Sequence, residues 1–429
     1  MFERILVVGS GAREHALCWA LAREPGVTEV LSVPGNAGTA LVARNVCADG
    51  ADVGQLRALV ERERVDLTVV GPELPLTQGL ANELVAAGHP VVGPSKEAAE
   101  LESSKAFAKG LMTRHGVPTA RYVVCTSPAA ARDAIRSGAF GYPVVLKADG
   151  LAAGKGVVVA RDEAGALAAA EDIMETRRFG DAGSRLVVEE CLVGREASFF
   201  AVTDGRHVVV LPSAEDHKRA FDDDQGPNTG GMGAFSPSPL IDGRMRQRVL
   251  DEIVEPTLWG MESEGRRYAG FLYVGLMLTA EGPKVVEFNA RMGDPESQVV
   301  LPAVEGGLLA TLVAAARGTL APGVLPASSD RFVGVVMASG GYPDRYETGK
   351  TIGGLEHASA LTGVLVFHAG TAMRDGRVMT SGGRVLTVVG KGSDFAAARA
   401  RAYDGAAAIS FDGMFYRRDI GLRAVDSRQ

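Results

Sequence analysis

The first hundred residues alternate apolar runs with helical stripes in the order β-α-β-α-β-α-β, and few folds accept that pattern. Strands are expected at 5–8, 29–33, 67–70 and 90–92, with helices at 13–23, 53–62 and 80–87. In the first helix Ala16, Leu17, Ala20 and Leu21 repeat at the helical period. Strands joined through helices run parallel, so an open α/β sheet follows, with ligands at the carboxyl ends of its strands. Those ends read Gly9, Pro34-Gly35, Gly71-Pro72 and Gly93-Pro94. Glycine there lets backbone come close to a ligand.

Past residue 100 the pattern changes. Apolar strands at 186–189, 197–202, 208–211, 271–278 and 285–289 crowd together, which argues for antiparallel pairing. Two more, within 140–159, flank a glycine-rich turn. A stretch rich in Pro, Ala and Ser at 321–330 reads as a linker. Strands at 332–337, 363–369 and 384–390 and an alanine-rich helix at 395–409 complete the chain. A length of 429 residues suits about three domains. The expected boundaries are 1–102, 103–326 with a small flap subdomain at about 121–191, and 328–424. The class is multidomain α/β and α+β.

Composition removes several functions. No apolar run reaches the roughly 18 residues of a membrane span. The net charge is −7, with no basic run for nucleic acid. The seven histidines show no zinc spacing. The four cysteines (Cys18, Cys47, Cys125, Cys191) are scattered, as in a reducing compartment. The start of the chain runs straight into a strand without signal-peptide architecture, so the cytoplasm is expected.

The chemistry gathers in short motifs. In Lys284-Val285-Val286-Glu287-Phe288-Asn289, strand period puts Glu287 and Asn289 on one face, about 7 Å apart along the backbone. A carboxylate and an amide oxygen suit Mg²⁺ (or Mn²⁺), with room left for phosphates. Gly9-Ser10-Gly11-Ala12-Arg13-Glu14 opens a helix after the first strand. It lacks the third glycine of a dinucleotide fingerprint, and the second strand ends without a ribose-binding acid. That weakens a nicotinamide-dependent oxidoreductase and leaves an anion at a helix N-terminus, with Arg13 assisting. Lys147-Ala148-Asp149-Gly150-Leu151-Ala152-Ala153-Gly154-Lys155-Gly156 misses the Walker A spacing by one residue. As strand, glycine loop and strand, it reads instead as a flap over a triphosphate. Glu189 to Glu196 follows a buried strand and can offer backbone to adenine and a carboxylate to ribose. The loop from Asp216-His217-Lys218-Arg219 to Asn228-Thr229-Gly230-Gly231-Met232-Gly233 is too rich in glycine for a helix and long enough to be functional. The acidic run at 222–224 reads as solvated surface.

Seven of these segments, at 7–16, 34–39, 103–109, 147–157, 216–219, 228–237 and 287–296, occur in an order that resembles the phosphoribosylamine–glycine ligase (glycinamide ribonucleotide synthetase) family of the ATP-grasp superfamily. The resemblance covers essentially the whole chain. It implies a Rossmann-like N-terminal substrate domain, a central ATP-grasp domain and a β-rich C-terminal domain. The implied reaction joins glycine to 5-phosphoribosylamine at the expense of ATP, through glycyl phosphate, in purine biosynthesis. Carried over, Lys105, Lys147, Gly154, Lys155, Gly156, Glu189, Leu192 and Glu196 bind ATP, and Glu287 and Asn289 hold the metal. Arg291, Asp216 and Lys147 serve catalysis. Gly9, Gly11, Arg13, Asn36, Gly38, Asp216, Lys218, Gly231, Gly233, Arg291 and Asp294 meet the other substrates. Partners are small molecules, with transient contact to the enzyme that makes phosphoribosylamine. One departure from the wider superfamily is that the strand 271–278 lacks a second metal-binding acid. Another ATP-grasp carboxylate–amine ligase and a non-catalytic nucleotide-binding module are the remaining alternatives.

Overall fold

The computed structural model describes residues 2–151 and 156–426. Its N-terminal sheet has five parallel strands in the order Arg44–Asn45, Glu29–Pro34, Arg4–Gly9, Leu67–Val70 and Val91–Val92. Arg4–Gly9 is central and buried on both faces. Leu6 and Val8 pack into one core and Ile5 and Val7 into another, beneath the helix Ala12–Leu21. Chain connections spread from this strand in both directions. The switch point, where such sheets open a crevice, therefore lies between the ends of Arg4–Gly9 and Leu67–Val70.

The middle of the chain builds two antiparallel layers. A four-stranded sheet runs in the order Tyr122–Cys125, Leu186–Glu190, Val144–Ala148, Val157–Ala160. Helices Pro128–Arg136 and Glu163–Met174 cover its apolar face around Leu146, Val188 and Ile173. The second sheet runs Pro283–Asn289, Gly270–Leu278, Arg195–Thr203, Val208–Val210, Gly323–Val324, with only its last pair parallel. Helix Lys105–Arg114 links the layers. Its N-cap Ser104 accepts from Phe107 N at 3.1 Å.

A third antiparallel sheet has the order Glu215–Asp216, Gly233–Ser236, Arg331–Ala338, Arg384–Gly392, Val364–His368, with helix Phe395–Ala408 against it. Two of its strands thus come from the long loop of the central region. That loop also holds a hairpin, Arg219–Phe221 with Gln225–Asn228. The acidic run at its tip is bound: Asp224 pairs with the buried Arg417 at 2.9 Å, and Asp222 accepts from Arg418 N at 2.6 Å. Among the described residues no helix is long and apolar enough to cross a membrane.

Candidate functional site

Strand Pro283–Asn289 lies at a sheet edge against Gly270–Leu278. The register runs Tyr273 to Asn289, Val274 to Phe288 and Gly275 to Glu287, then slips to Leu276 and Val285. Val286 is the extra residue of a bulge, which re-aims the side chains beyond it. Its carbonyl accepts from Lys147 Nζ at 3.1 Å. Past the bulge, Glu287 and Asn289 share a face while Phe288 is buried in the core. Opposite Glu287, a Cβ on Gly275 would stand 3.2 Å from Glu287 Cγ. The strand without an acid therefore gives Glu287 its room.

Cations converge on this face. Lys105 and Lys109 sit one turn apart on Lys105–Arg114. Lys105 Nζ donates to Gly150 O at 3.1 Å. Glu189 pairs with Lys147 through Oε1 and with Lys109 Nζ through Oε2, the latter at 2.5 Å. Lys109 also donates to Thr119 Oγ1 at 2.8 Å, and that hydroxyl donates to Val285 O at 2.7 Å. Asp149 is held by Arg185 at 2.6 Å and by Ala106 N at 3.0 Å. Burial pushes the Glu287 carboxyl up, but Lys218, Lys147, Lys105 and Arg291 outweigh it and hold it below the usual range.

These residues fit a divalent cation. Glu287 stays ionised, and Asn289 keeps an amide that is buried with its Nδ2 unpartnered, so the amide is unspent. Among the described residues no cluster of three or more His, Cys, Asp or Glu could hold a metal. Two protein oxygens with the rest of the shell left open suit Mg²⁺ shared with phosphates.

Beside the pair is a small open concavity lined by Glu196, Ser198, Asp216, Lys218, Tyr273 and Val286. Lys218 Nζ pairs with Glu196 Oε2 at 2.6 Å. Burial pushes Asp216 up to about 7; Lys218 opposes this and Glu296, Glu196 and Glu287 add to it. Glu296 accepts from Tyr273 Oη at 2.9 Å.

On the loop after Asn289, Arg291 pairs with Glu73 at 3.3 Å and Glu102 at 3.1 Å. Asp294 pairs with Arg384 at 3.0 Å, and Arg384 also donates to Asp294 O at 2.8 Å and to Gly230 O. Gly231 has φ +110°, and a Cβ there would meet the Pro295 ring at 2.3 Å. Arg13 reaches Met292 O at 3.3 Å, which brings the N-terminal turn to the same place.

Several expected ligand groups are occupied by the protein itself. Gly11 N donates to Glu14 Oε2 at 2.6 Å, and the Glu14 carboxyl fills the space beside Gly9 and Gly71. That places a carboxylate where a dinucleotide phosphate would need bare N–H groups, and it counts against the oxidoreductase alternative. Asn36 donates to Ser10 O at 2.9 Å and His368 O at 2.7 Å and accepts from Gly38 N and Thr39 N. Gly38 leaves room for the His15 and His368 rings, and Gly233 for Gly334 O and Ile420. The side chain of Glu189 faces lysines. Leu192 is half-buried in the connection after Leu186–Glu190, and Gly156 is buried, with its carbonyl accepting from Ala148 N at 2.8 Å. Gly154 and Lys155 lie outside the described residues.

Lys109, Glu73, Glu102, Glu296 and Arg384 join the site without having been singled out from sequence. Lys109 was within reach, four residues from Lys105 on a helical stripe. Arg384 has no local signal, because its partners lie about 90 and 150 residues away.

Two antiparallel layers that aim lysines and a carboxylate–amide pair at one cleft define an ATP-grasp ligase. Family models for phosphoribosylglycinamide synthetase match in three parts: the N domain at 3–102, the ATP-grasp (A) domain at 103–297 and the C domain at 332–423. The chain is 48% identical to a phosphoribosylamine–glycine ligase of Chlorobaculum tepidum, over 98% of this chain and all of that one. It is also 48% identical to a trifunctional purine biosynthetic protein of Gallus gallus, over 99% of this chain and 42% of that one. A crystal structure of phosphoribosylamine–glycine ligase from Thermotoga maritima superposes with a TM-score of 0.85 at 38% identity, covering 97% of this chain and 99% of that one. The chain belongs to the phosphoribosylglycinamide synthetase family, and as an ATP-grasp ligase it uses ATP.

Proposed function

We propose that this chain joins glycine to 5-phosphoribosylamine, giving glycinamide ribonucleotide, ADP and phosphate. The observation that carries the site assignment is the ionised, half-buried Glu287 surrounded by Lys218, Lys147, Lys105 and Arg291. A carboxylate so neutralised awaits a ligand of mixed charge, such as a metal triphosphate. In this reading Glu287 and Asn289 hold Mg²⁺ or Mn²⁺, which when bound offsets the charge gathering on the phosphates. Lys105 and Lys147 bind the phosphates from the facing layer. Gly154, Lys155 and Gly156 contribute to binding ATP. Backbone at Glu189 and Leu192 meets adenine, and Glu196 meets ribose, exchanging its pair with Lys218.

The carboxylate of glycine attacks the γ-phosphate, forming an acyl phosphate and releasing ADP. The phosphoribosylamine nitrogen then attacks the acyl carbon, phosphate leaves, and the nitrogen gives up a proton. Arg291, anchored by Glu73 and Glu102, and Asp216 with Lys218 orient glycine and its phosphate. The phosphoribosyl group lies at the switch-point crevice, near Arg13 and the loop of Asn36 and Gly38, with Gly9 and Gly11 lining the crevice as backbone already capped by Glu14 rather than as phosphate donors. Asn36, Gly38, Gly231, Gly233 and Asp294 shape that end through packing and hydrogen bonds. The division of labour follows the chain: 1–102 for phosphoribosylamine, 103–326 for ATP and glycine, 328–424 as the buttress. The setting is the cytoplasm, with transient hand-over of the labile amine from the enzyme that makes it. The name of the Gallus gallus relative, a trifunctional purine biosynthetic protein, supports such proximity.

The test is ADP release with phosphoribosylamine generated in the assay. Release that requires both glycine and phosphoribosylamine is expected. Equal release with another amine acceptor, or without glycine, sinks the substrate assignment.

A further inference from the structure

Among the buried ionic groups, one carries an inference that the reaction scheme does not use. Lys109, Lys147 and Glu189 are 3%, 4% and 4% exposed, so their charges are balanced within the protein rather than by water. Glu189 pairs with Lys147 through one oxygen and with Lys109 through the other. Burial lowers Lys109 to about 8, so at pH 7 two ammonium groups share one carboxylate and the trio keeps one net positive charge. Lys109 has further anchors. Its Nζ donates to Thr119 Oγ1, which donates to Val285 O, while Lys147 Nζ donates to Val286 O, the next carbonyl of the metal strand. Lys147 directly, and Lys109 through Thr119, thus reach adjacent carbonyls just ahead of Glu287, with Glu189 between them.

We propose that Lys109 is a positioning residue for ATP: it shares the Glu189 carboxylate with Lys147 and so leaves the Lys147 side of the cleft one positive charge for the triphosphate. Without Lys109, Lys147 and Glu189 form a neutral pair, and the phosphates meet a dipole in place of a cation. The inference rests on the proposed placing of Lys147 at the phosphates. It makes a charge-counting prediction that a packing role does not make.

The experiment measures Kd for ATP in the presence of Mg²⁺ by calorimetric titration of the full chain, with kcat and KM for ATP beside it. Lys109→Met is expected to raise Kd and KM by about tenfold or more with a smaller effect on kcat. Lys109→Arg keeps the charge and is expected to recover most of the affinity. The decisive variant is Lys109→Met combined with Glu189→Gln, which restores one net positive charge and is expected to bring Kd back toward that of the parent. Glu189→Gln alone, with two net charges, is expected to bind ATP at least as tightly as the parent. If Lys109→Met does not fold, the Glu189→Gln result still decides: weaker ATP binding overturns the proposal. Failure of the double variant to recover affinity also overturns it. Lys147→Met separates the two readings. Unchanged Kd in that variant removes Lys147 from the ATP site. Raised Kd there with unchanged Kd in Lys109→Met overturns only the role of Lys109.

Discussion

Glu287 is ionised because Lys218, Lys147, Lys105 and Arg291 together outweigh its desolvation, although Lys147, Lys218 and Arg291 also pair with other carboxylates. Glu287→Gln keeps the shape and removes the charge. ADP release is expected to fall at least about 100-fold. The expected readout is lost turnover at saturating ATP, with Mg²⁺ titration failing to restore it; retained turnover would remove Glu287 from the metal. This pair is legible in the sequence because strand period is short-range and survives the bulge at Val286, which precedes both residues. The side-chain role of Glu189 was not legible. Its two lysines approach from Lys105–Arg114 and Val144–Ala148, and only the folded sheet brings them together. Asn36 also has a role that its motif does not show: every polar atom of its side chain is taken by the protein, so it shapes its loop through internal hydrogen bonds.

At the scale of elements, the site depends on two loops that are locked to each other. Arg384 pins Gly230 and Asp294, while Gly231 lies flat against Pro295. Gly231→Ala adds a methyl group at a positive φ with no space for it. The expected cost is at least about 2 kcal/mol, read by chemical denaturation. An unchanged midpoint would mean the loop relaxes freely. Arg384→Met is expected to raise KM for glycine or phosphoribosylamine more than KM for ATP, because its partners lie on the loop bearing Arg291 and not on the lysine layer. An equal rise for ATP would contradict that separation. Four of the five strands of the first parallel sheet were readable from alternation, the two-residue edge strand Arg44–Asn45 was not, and the helix Ala12–Leu21 falls within two residues of its expected bounds. Loop-to-loop locking carries no period, so the sequence offers nothing to count there.

Across the whole molecule, three buried histidines set an acid limit. Burial lowers His15 to about 3, His217 to about 3 and His368 to about 4, from an ordinary 6.5. The unfolded chain binds protons on these groups below pH 6.5 while the folded chain resists. Their contribution is therefore complete above about 6.5 and is lost as pH falls toward 4 and 3. His15 Nδ1 accepts from His368 N at 2.9 Å, so a proton there also breaks a contact between the helix Ala12–Leu21 and the C-terminal sheet. Asp216, held up to about 7, acts in the opposite sense between about 4 and 7, so a difference measurement is needed. His217 has no hydrogen-bond partner at either ring nitrogen and packs edge-on to Phe235. His217→Phe is expected to cost little at pH 7.5 and to gain on the parent in Tm as pH falls below 6.5. A constant gap across pH would show that His217 titrates normally in the folded chain.

The sheet that includes both Gly233–Ser236 and Arg331–Ala338 bears on how such chains can be recombined. A crossover placed in the Pro-rich stretch at 321–330 looks harmless on a linear map. It would give neighbouring strands of one sheet to different parents, with Phe235 facing Val333 across the seam. In chimeras between relatives, the C-terminal segment is inherited intact only when residues 215–236 travel with it.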